Sequence, residues 1–391
     1  ILWVGTPGVL GLGQLPLGSQ EAGDRAETML PLQVPGMAGI RVRSLATRDA
    51  HSLALDADGN VYSWGGGHGG RLGHGDEAEQ LTPRLIAALT GTRVRAIATG
   101  TGHSAAVSED GALFTWGGYM SGSCGLGYKP EGGFQPVPRQ VDALEGSWVA
   151  CVAAGSGFTI VSTDDGTVYS FGAGGAGQLG HGLPAATYVE PKRVDALEHV
   201  CVRAISAGNA HVLALADDGV VFSWGNAPSG RNSLLGRRSH SSDGLPQPVE
   251  GLEGERVRVI AAGNMHNCAV TESGALFTWG DHEWGKLGHG ASDTWDLPWR
   301  RRNGNAGFTL LPTRVKALEG VNVVSVSAGC FHTLAVAEDG TLYGWGDDRN
   351  GCISSDGDAS LAPRPQCTPR LISDLRVDCT GARRGSEGQA I

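Results

Sequence analysis

One pattern of apolar and polar positions recurs along the chain: an apolar strand, a tight turn, and a second strand that closes on Trp-Gly or Phe-Gly. The clearest copy is residues 208–225, GNAHVLALADDGVVFSWG. Asp-Gly between two apolar runs is a strong hairpin signal, because the tight turn needs residues with positive φ. Further copies lie at 100–117, 155–172, 263–280 and 329–346, with a weaker one at 48–65. A fixed-period hairpin predicts a repeat protein made mainly of strands.

Two landmarks punctuate these copies in a constant order. The Trp-Gly landmark occurs seven times, spaced by 52 to 66 residues, at Trp3, Trp64, Trp116, Phe171, Trp224, Trp279 and Trp345. A Pro-x-x-Val or Pro-x-x-Ile landmark also occurs seven times, at Pro31, Pro83, Pro138, Pro191, Pro246, Pro312 and Pro369. Each unit has room for four short strands, which is the content of one β-propeller blade.

We therefore predict an all-β fold, a seven-bladed β-propeller of four-stranded blades, with residues 1–391 as a single domain. Six blades are expected at roughly 41–89, 93–144, 148–197, 201–252, 256–318 and 322–375. The seventh is expected to combine 1–37 with 376–391, so that pairing of N- and C-terminal strands closes the ring. The motif is lost from Thr380 onward, so either this closure is irregular or the natural chain continues beyond Ile391.

Composition narrows the classes of function. The 391 residues carry a net charge of −10, which makes direct DNA binding unfavourable, since DNA binding requires a basic face. The eight cysteines form no Cys-x-x-Cys pair and are expected to be buried free thiols in a reducing compartment. No run of 18 apolar residues occurs, so no membrane span is expected, and we predict an intracellular protein, cytoplasmic or nuclear. The chain lacks an initiating Met, as expected for a module of a larger chain.

The motif Gly-x-x-His-x-x-Ala-Leu-x-x-Asp-Gly-x-x-x-x-Trp-Gly, followed by Gly-Gln-Leu-Gly-His-Gly at 177–182, resembles the regulator of chromosome condensation repeat family. The resemblance covers essentially the whole chain and implies a seven-bladed propeller. Members of that family include nucleotide-exchange factors for a small nuclear GTPase, interaction modules of large ubiquitin ligases, and a plant UV-B receptor. The receptor relies on tryptophans in Gly-Trp-Arg-His-Thr motifs; residues 208–211 and the equivalent segments here contain none, which argues against light reception.

The repeated histidines and tryptophans are predicted to be structural. One histidine per blade is too widely spaced for a shared metal site, and Phe158 replaces it in the third copy. We expect each imidazole to bond to neighbouring backbone and each tryptophan to pack between blades. The structural repeat residues are His51, His103, His211, His266 and His332, with Trp64, Trp116, Trp224, Trp279 and Trp345. The same role is expected for the Leu-Gly-His histidines His74, His181 and His289.

No catalytic residues, metal site or cofactor are predicted. Nucleophile-elbow, His-Glu-x-x-His and P-loop spacings do not occur in the sequence. Nucleotide exchange stays open, because it requires no covalent chemistry, and an enzyme centred on the propeller channel is a third alternative.

Function is instead expected in the loops between the two landmarks, where the copies differ. The longest, 281–311, contains Trp284, Trp295, Trp299, Arg300, Arg301 and Arg302, residue types typical of interface hot spots. A second, 226–244, contains Arg237 and Arg238. The alternative for the longest loop is that its tryptophans are buried against its own blade. We predict a non-enzymatic propeller that binds a protein partner through one loop-bearing face; the alternative is a guanine-nucleotide exchange factor for a Ran-like small GTPase. The sequence makes no prediction of oligomeric state.

Overall fold

The computed structural model describes residues 34–118, 120–182, 186–225, 232–238, 244–290, 307–347, 353 and 365–376. These residues form six four-stranded antiparallel sheets, each made of four strands consecutive in sequence. The first sheet contains β1 (Val42–Arg48), β2 (His51–Asp56), β3 (Val61–Gly65) and β4 (Gln80–Leu85). The second contains β5 (Val94–Thr99), β6 (His103–Ser108), β7 (Leu113–Gly118) and β8 (Phe134–Gln140). The third contains β9 (Val149–Ala154), β10 (Phe158–Thr163), β11 (Val168–Gly172) and β12 (Tyr188–Arg193).

The last three sheets repeat this order. The fourth contains β13 (Val202–Ala207), β14 (His211–Ala216), β15 (Val221–Gly225) and β16 (Gln247–Pro248). The fifth contains β17 (Val257–Ala262), β18 (His266–Thr271), β19 (Leu276–Asp281) and β20 (Phe308–Arg314). The sixth contains β21 (Val323–Ala328), β22 (His332–Ala337), β23 (Thr341–Gly346) and β24 (Gln366–Arg376). The described helical segments are short 3₁₀ turns: His68–Gly70, Ala87–Leu89, Met120–Gly122, Glu131–Gly133, Asp142–Leu144, Asp195–Leu197, Asn232–Leu235, Glu283–Gly285 and Lys316–Leu318.

The predicted number of blades is wrong: the described residues form six, not seven. Arg376, the first residue of the predicted closing segment, is the last residue of β24 and pairs with Thr341 of β23. Arg376 was predicted to begin the closing segment of a seventh blade but instead ends the outer strand of the sixth. Residues 34–37, also assigned to the seventh blade, lie in no strand, and 1–33 and 377–391 lie outside the described residues.

The blades pack through their inner strands and through large apolar side chains. The first strand of each blade packs against the first strand of the next, as β5 does against β9 and β13 against β17. The second strands of blades one to five are buried along their whole length, because both of their sheet faces are covered. Trp224 belongs to a cluster that joins strands of blades three and four, which also contains Ile160 and Val202.

The outer strands carry a proline in their paired region or close to it. Pro83, Pro138, Pro191, Pro312 and Pro369 lie in β4, β8, β12, β20 and β24. Proline has no N–H to offer, so it suits an edge strand and hinders pairing with another chain.

Because equivalent strands point the same way, the ring has two different faces. On the loop face, the third strands end at Gly65 and its equivalents, the long loops begin, and the turns at 49–50, 100–102, 155–157, 208–210, 263–265 and 329–331 join first to second strands. On the turn face lie the second-to-third-strand turns at 56–60, 108–112, 163–167, 216–220, 271–275 and 337–340, beside the first residues of the inner strands.

The predictions about the cysteines and about membrane-spanning segments can be compared with the structure. The cysteines within the described residues are free; Cys124, Cys151 and Cys268 are buried as expected, whereas Cys201 and Cys330 are exposed. Cys352 and Cys379 lie outside the described residues. In the part of the chain that the structure describes, no helix is long and apolar enough to cross a membrane.

Candidate functional site

The loop face is shaped by a glycine that follows each tryptophan or phenylalanine. Gly65 and its equivalents have φ between 97° and 116°, which favours glycine strongly. A Cβ on Gly65 would lie 2.5 Å from the carbonyl oxygen of Ala50 in the adjoining turn. The next backbone N–H donates to that same oxygen, from Gly66 at 2.7 Å. Each long loop therefore leaves its blade in one fixed direction, close to the neighbouring first-to-second-strand turn.

A hydroxyl just before the aromatic residue holds each loop to its own blade. Ser63 Oγ donates to Leu72 O at 2.7 Å and lies 2.9 Å from His74 Nε2. Because the hydroxyl proton is already used, His74 Nε2–H is the donor to Ser63. Ser170 with His181 and Thr278 with His289 repeat this arrangement. The Leu-Gly-His histidines thus anchor their loops.

The histidines of the hairpin connect neighbouring blades. Nε2 lies within hydrogen-bond distance of a side chain on the next blade in the pairs His51–Ser104 (2.8 Å), His103–Thr159 (2.9 Å), His211–Asn267 (2.8 Å) and His266–Thr333 (2.8 Å). The partner is a side chain, not the backbone group that the sequence led us to expect. Ser104 Oγ, for example, donates to Arg71 O at 2.9 Å, so it accepts from His51.

The other ring nitrogen of these histidines has no partner. Nδ1 of His51, His103, His211 and His266 is buried without a hydrogen bond. Protonating it would place an unpaired charge in the interior, and burial lowers the pKa of His51 to about 3 and that of His103 and of His211 to about 4. Burial also lowers the pKa of His266 well below its ordinary value. The four imidazoles are therefore neutral at physiological pH.

The third blade explains why the sequence tolerates Phe158. In the other blades, the histidine contacts the residue that directly follows the repeat position of the next blade. For Phe158 that residue is Val212, and both side chains are fully buried in one apolar cluster. A polar pair between blades is thus replaced by an apolar pair. Both members change together, so no buried polar group is left unsatisfied.

The same connection fixes each loop on the next blade. Arg71 O accepts from Trp116 Nε1 at 2.9 Å as well as from Ser104. Lys286 O accepts from Trp345 Nε1 and from Thr333 Oγ1, both at 2.8 Å. The loop carbonyl, the tryptophan and the histidine's partner form one unit, which explains why these residue types recur from copy to copy within this chain.

Among the predicted interface residues, Trp284 has an unusual backbone conformation. It lies in the 3₁₀ turn Glu283–Gly285 with φ 64°, is half-buried, and is one of three described non-glycine residues with positive φ. A bulky residue in this region is an outlier that costs about 1–2 kcal/mol. Gly69 and Ser121 occupy the equivalent place in blades one and two, with φ 69° and 58°.

A buried ion pair holds the base of this loop. Lys286 Nζ lies 2.6 Å from Asp281 Oδ2, and the lysine side chain is fully buried. The ammonium also lies 5.7 Å from the centre of the Phe331 ring. This pair was not predicted from the sequence, although Asp281 and Lys286 stand where the third blade has Ala173 and Gln178. Aligning the copies by that spacing would have revealed two opposite charges at inward positions.

The first-to-second-strand turns of blades five and six contain the large apolar residues Met265 and Phe331, whereas the other turns have only small or polar residues. Met265 is half-buried, Cys330 is exposed, and the Phe331 side chain is 39% exposed. Thr101–Gly102 and Ser156–Gly157 stand at the equivalent places in blades two and three. This sector of the loop face combines exposed apolar surface with Trp284 of the adjoining loop.

Of the remaining predicted contact residues, one is buried, one is exposed and the others lie outside the described residues. Arg237 takes the place of the Leu-Gly-His histidine; it is 4% exposed and donates to Ser223 O at 3.3 Å inside its own blade. Arg237 is therefore almost inaccessible to a partner. Arg238 is exposed and pairs with Glu250 at 3.2 Å. Trp295, Trp299 and Arg300–Arg302 lie outside the described residues.

Among the described residues, no group of three His, Cys, Asp or Glu side chains is arranged to hold a metal ion. The histidines of the repeat are bonded within the frame, as given above. What varies on the loop face is shape, apolar surface and charge.

Comparison with known proteins agrees with this architecture. The model of the RCC1-like domain family matches residues 4–387. The human E3 ubiquitin-protein ligase HERC2 is 30% identical over 384 residues, which are 97% of this chain and only 8% of the ligase. The secretion-regulating guanine nucleotide exchange factor of Bos taurus is 30% identical over 353 residues, covering 84% of this chain and 72% of the bovine protein. The ultraviolet-B receptor UVR8 of Arabidopsis thaliana is 32% identical over 314 residues, covering 80% of this chain and 67% of the receptor.

Solved structures show the same fold. Prp20p from Saccharomyces cerevisiae superposes with a TM-score of 0.77 at 24% identity, covering 95% of this chain and 85% of that one. Human WBSCR16 superposes with a TM-score of 0.71 at 22% identity, covering 88% and 83%. The family match spans nearly all of the sequence, and the repeated Gly-x-x-His and Leu-Gly-His residues form the contacts described above. The chain belongs to the RCC1-like domain family.

Proposed function

We propose that the protein is a binding module that holds a protein partner on its loop face without covalent catalysis. The observation that carries this proposal is Trp284, a bulky aromatic residue in the left-handed region at a position where other blades have Gly69 and Ser121. Backbone strain of this kind persists where surrounding structure enforces it and is concentrated at functional positions.

The surroundings of Trp284 support a binding role. The next residue, Gly285, packs so closely against Cys367 of the sixth blade that a Cβ there would lie 2.7 Å from the Cys367 backbone. Lys286 is fixed by Asp281 and by its carbonyl bonds to Trp345 and Thr333. A side chain on such a base is pre-organised, and pre-organisation lowers the entropic cost of binding.

The proposed contact surface extends from Trp284 to the exposed Phe331 and to the rest of the 281–311 loop. Trp and Arg dominate interface hot spots, and this loop contributes Trp295, Trp299, Arg300, Arg301 and Arg302 as predicted contacts. Arg238 of the neighbouring blade is a predicted contact at the rim, where a charge affects association rate more than affinity.

The variant Trp284→Gly is expected to weaken partner binding without a large change in stability. Glycine adopts the left-handed conformation without strain, which stabilises the fold by about 1–2 kcal/mol. This gain offsets the packing energy that is lost when the half-buried indole is removed. We expect the free energy of unfolding to change by less than about 1 kcal/mol while partner affinity falls by at least about tenfold. Affinity capture from a lysate of the source organism, with urea unfolding of the same preparations, measures both.

Ser121→Gly is the matched control, because it makes the same backbone change in the second blade. Capture by this variant should equal that of the unmodified protein. Capture that is equally strong with Trp284→Gly would remove Trp284 from the contact surface.

Guanine-nucleotide exchange is the second candidate, favoured by the bovine relative whose name states that activity and which this chain covers to 72%. In this alternative the loop face binds a Ran-like small GTPase and stabilises its nucleotide-free form. The discriminating measurement is release of a fluorescent nucleotide from a panel of small GTPases. The binding-module proposal predicts no acceleration at stoichiometric protein, whereas acceleration abolished by Trp284→Gly would establish exchange on the same face.

A further inference from the structure

The turn face carries two sets of arginines at the start of the inner strands. The inner set, here called the arginine collar, is the second residue of β1, β5, β13 and β17: Arg43, Arg95, Arg203 and Arg258. The outer set stands two residues earlier and includes Arg93 and Arg256. The equivalent collar positions in blades three and six are Ala150 and Val324.

The outer arginines are neutralised within their own blades. Arg93 lies 3.4 Å from Glu109, and Arg256 lies 3.3 Å from Glu272. Both carboxylates belong to the turns between the second and third strands. These ion pairs leave little unbalanced positive charge at the outer positions.

The collar arginines are bonded to backbone instead. Each spans the gap to the inner strand of the next blade: Arg43 donates to Arg95 O at 3.0 Å, Arg95 to Ala150 O at 2.8 Å, Arg203 to Val257 O at 2.9 Å, and Arg258 to Val323 O. In the described residues, no carboxylate oxygen lies within 4.0 Å of Arg43, Arg203 or Arg258. Arg258 Nη2 also donates to Asn322 Oδ1 at 3.4 Å, and the guanidinium interacts electrostatically with Glu338 and Glu272 at longer range.

Carbonyl oxygens satisfy hydrogen bonds but do not cancel charge. Arg43, Arg203 and Arg258 therefore place positive charge at the inner strands of a chain whose net charge is −10. For Arg203 and Arg258, Nη2 makes the bonds to the next blade. Both residues are only half-buried, so part of each side chain is exposed on the turn face. A guanidinium with a free Nη–H is suited to a carboxylate.

We propose that the arginine collar binds an acidic peptide segment of a protein partner at the centre of the turn face. The surrounding turns select for a narrow ligand, because they carry their own carboxylates: Asp56, Asp58, Glu109, Asp110, Asp164, Asp165, Asp217, Asp218, Glu272, Glu338 and Asp339. A single acidic segment can approach along the axis, whereas a duplex nucleic acid needs a broad basic face and would meet this acidic rim. The collar is on the opposite face from Trp284, so this proposal and the proposed function stand separately.

The test is binding of a labelled peptide of alternating Glu and Gly, measured by fluorescence anisotropy. Its Gln-and-Gly counterpart and a single-stranded DNA oligonucleotide of equal charge are measured in parallel. We expect the acidic peptide alone to bind, with an affinity that falls as salt rises. Arg203→Gln/Arg258→Gln should weaken binding by at least about tenfold, because glutamine keeps a donor for the backbone carbonyl but removes the charge.

Arg93→Gln/Glu109→Gln is the control, since it removes one neutral ion pair from the same region of the turn face and leaves the net charge unchanged. It should change affinity by less than about twofold. Arg43→Gln, at an exposed residue, provides a collar variant whose folding is not in question and should also weaken binding. Equal losses for the collar variant and this control, absence of peptide binding, or preferential binding of the oligonucleotide would each overturn the proposal.

Discussion

Replacing Asp281 with alanine is expected to lower the free energy of unfolding by about 3–5 kcal/mol. The ammonium of Lys286 is fully buried and its one described hydrogen bond, 2.6 Å long, is to Asp281. Removing the carboxylate leaves an uncompensated buried charge, which is more costly than the pair itself is stabilising. Urea unfolding followed by tryptophan fluorescence measures the loss as a shift of the midpoint.

The third blade supplies the control for this change. Asp281→Ala/Lys286→Gln reproduces the Ala173 and Gln178 found there, so no charge remains buried. The double variant should recover most of the stability lost by Asp281→Ala, and residue 286 can still accept its two bonds through its carbonyl oxygen. A double variant as unstable as Asp281→Ala would show that the buried lysine is not the cause.

The second large effect is loss of stability in mild acid. His51, His103, His211 and His266 have pKa values lowered by burial, so in the folded state they stay neutral while the unfolded chain binds protons below about pH 6.5. Stability is therefore fully present above that pH and is lost as pH falls towards the folded-state pKa values, which are about 3 for His51 and about 4 for His103 and His211. Each imidazole contributes up to about 1.4 kcal/mol per pH unit in this window, so four together cost several kcal/mol by pH 5.

Protonation of the carboxylates of Asp56, Asp110 and Asp165 contributes little to the change in stability between pH 7 and pH 5. Their pKa values are lowered, so their contribution is lost only below the ordinary aspartate value near 4. The urea midpoint measured from pH 7 to pH 5 thus reports the histidines. His266→Phe/Thr333→Val imports the apolar pair of Phe158 and Val212 and should reduce the pH dependence by about one proton. A flat profile in the unmodified protein would mean that the imidazoles are charged or exposed.

The local pattern of the sequence predicted the repeated elements well. Alternating apolar residues and the Asp-Gly turn at 217–219 specify the hairpin of β14 and β15, and the Trp-Gly or Phe-Gly landmark marks the end of the third strand in each blade. Such features depend on neighbours in sequence. The number of blades did not follow, because the seventh was inferred from the landmarks Trp3 and Pro31 and from a closing segment that began at Arg376. Strand pairing is set by the sheet rather than by a motif, and Arg376 pairs with Thr341 of the sixth blade.

The candidate site was only partly predictable for the same reason. Trp284 was identified by residue type, but neither its left-handed backbone nor the closeness of the next residue, Gly285, to Cys367 of another blade has a signal in the local sequence. Arg237 looked like a surface arginine, yet its spacing after Leu235-Gly236 equals that of His74 after Leu72-Gly73, which predicts an inward side chain. The partnership of Phe158 with Val212 joins two blades and leaves no local signal.

The most direct test of the proposed function compares loop and frame variants in one capture experiment. The loop variant changes Trp295, Trp299, Arg300, Arg301 and Arg302 to alanine; the frame variant, His211→Phe/Asn267→Val, exchanges a polar connection between blades for the apolar one of the third blade. With both variants folded, we predict that the loop variant no longer captures the partner and that the frame variant captures it as the unmodified protein does. Undiminished capture by the loop variant would contradict the assignment of binding to the loop face.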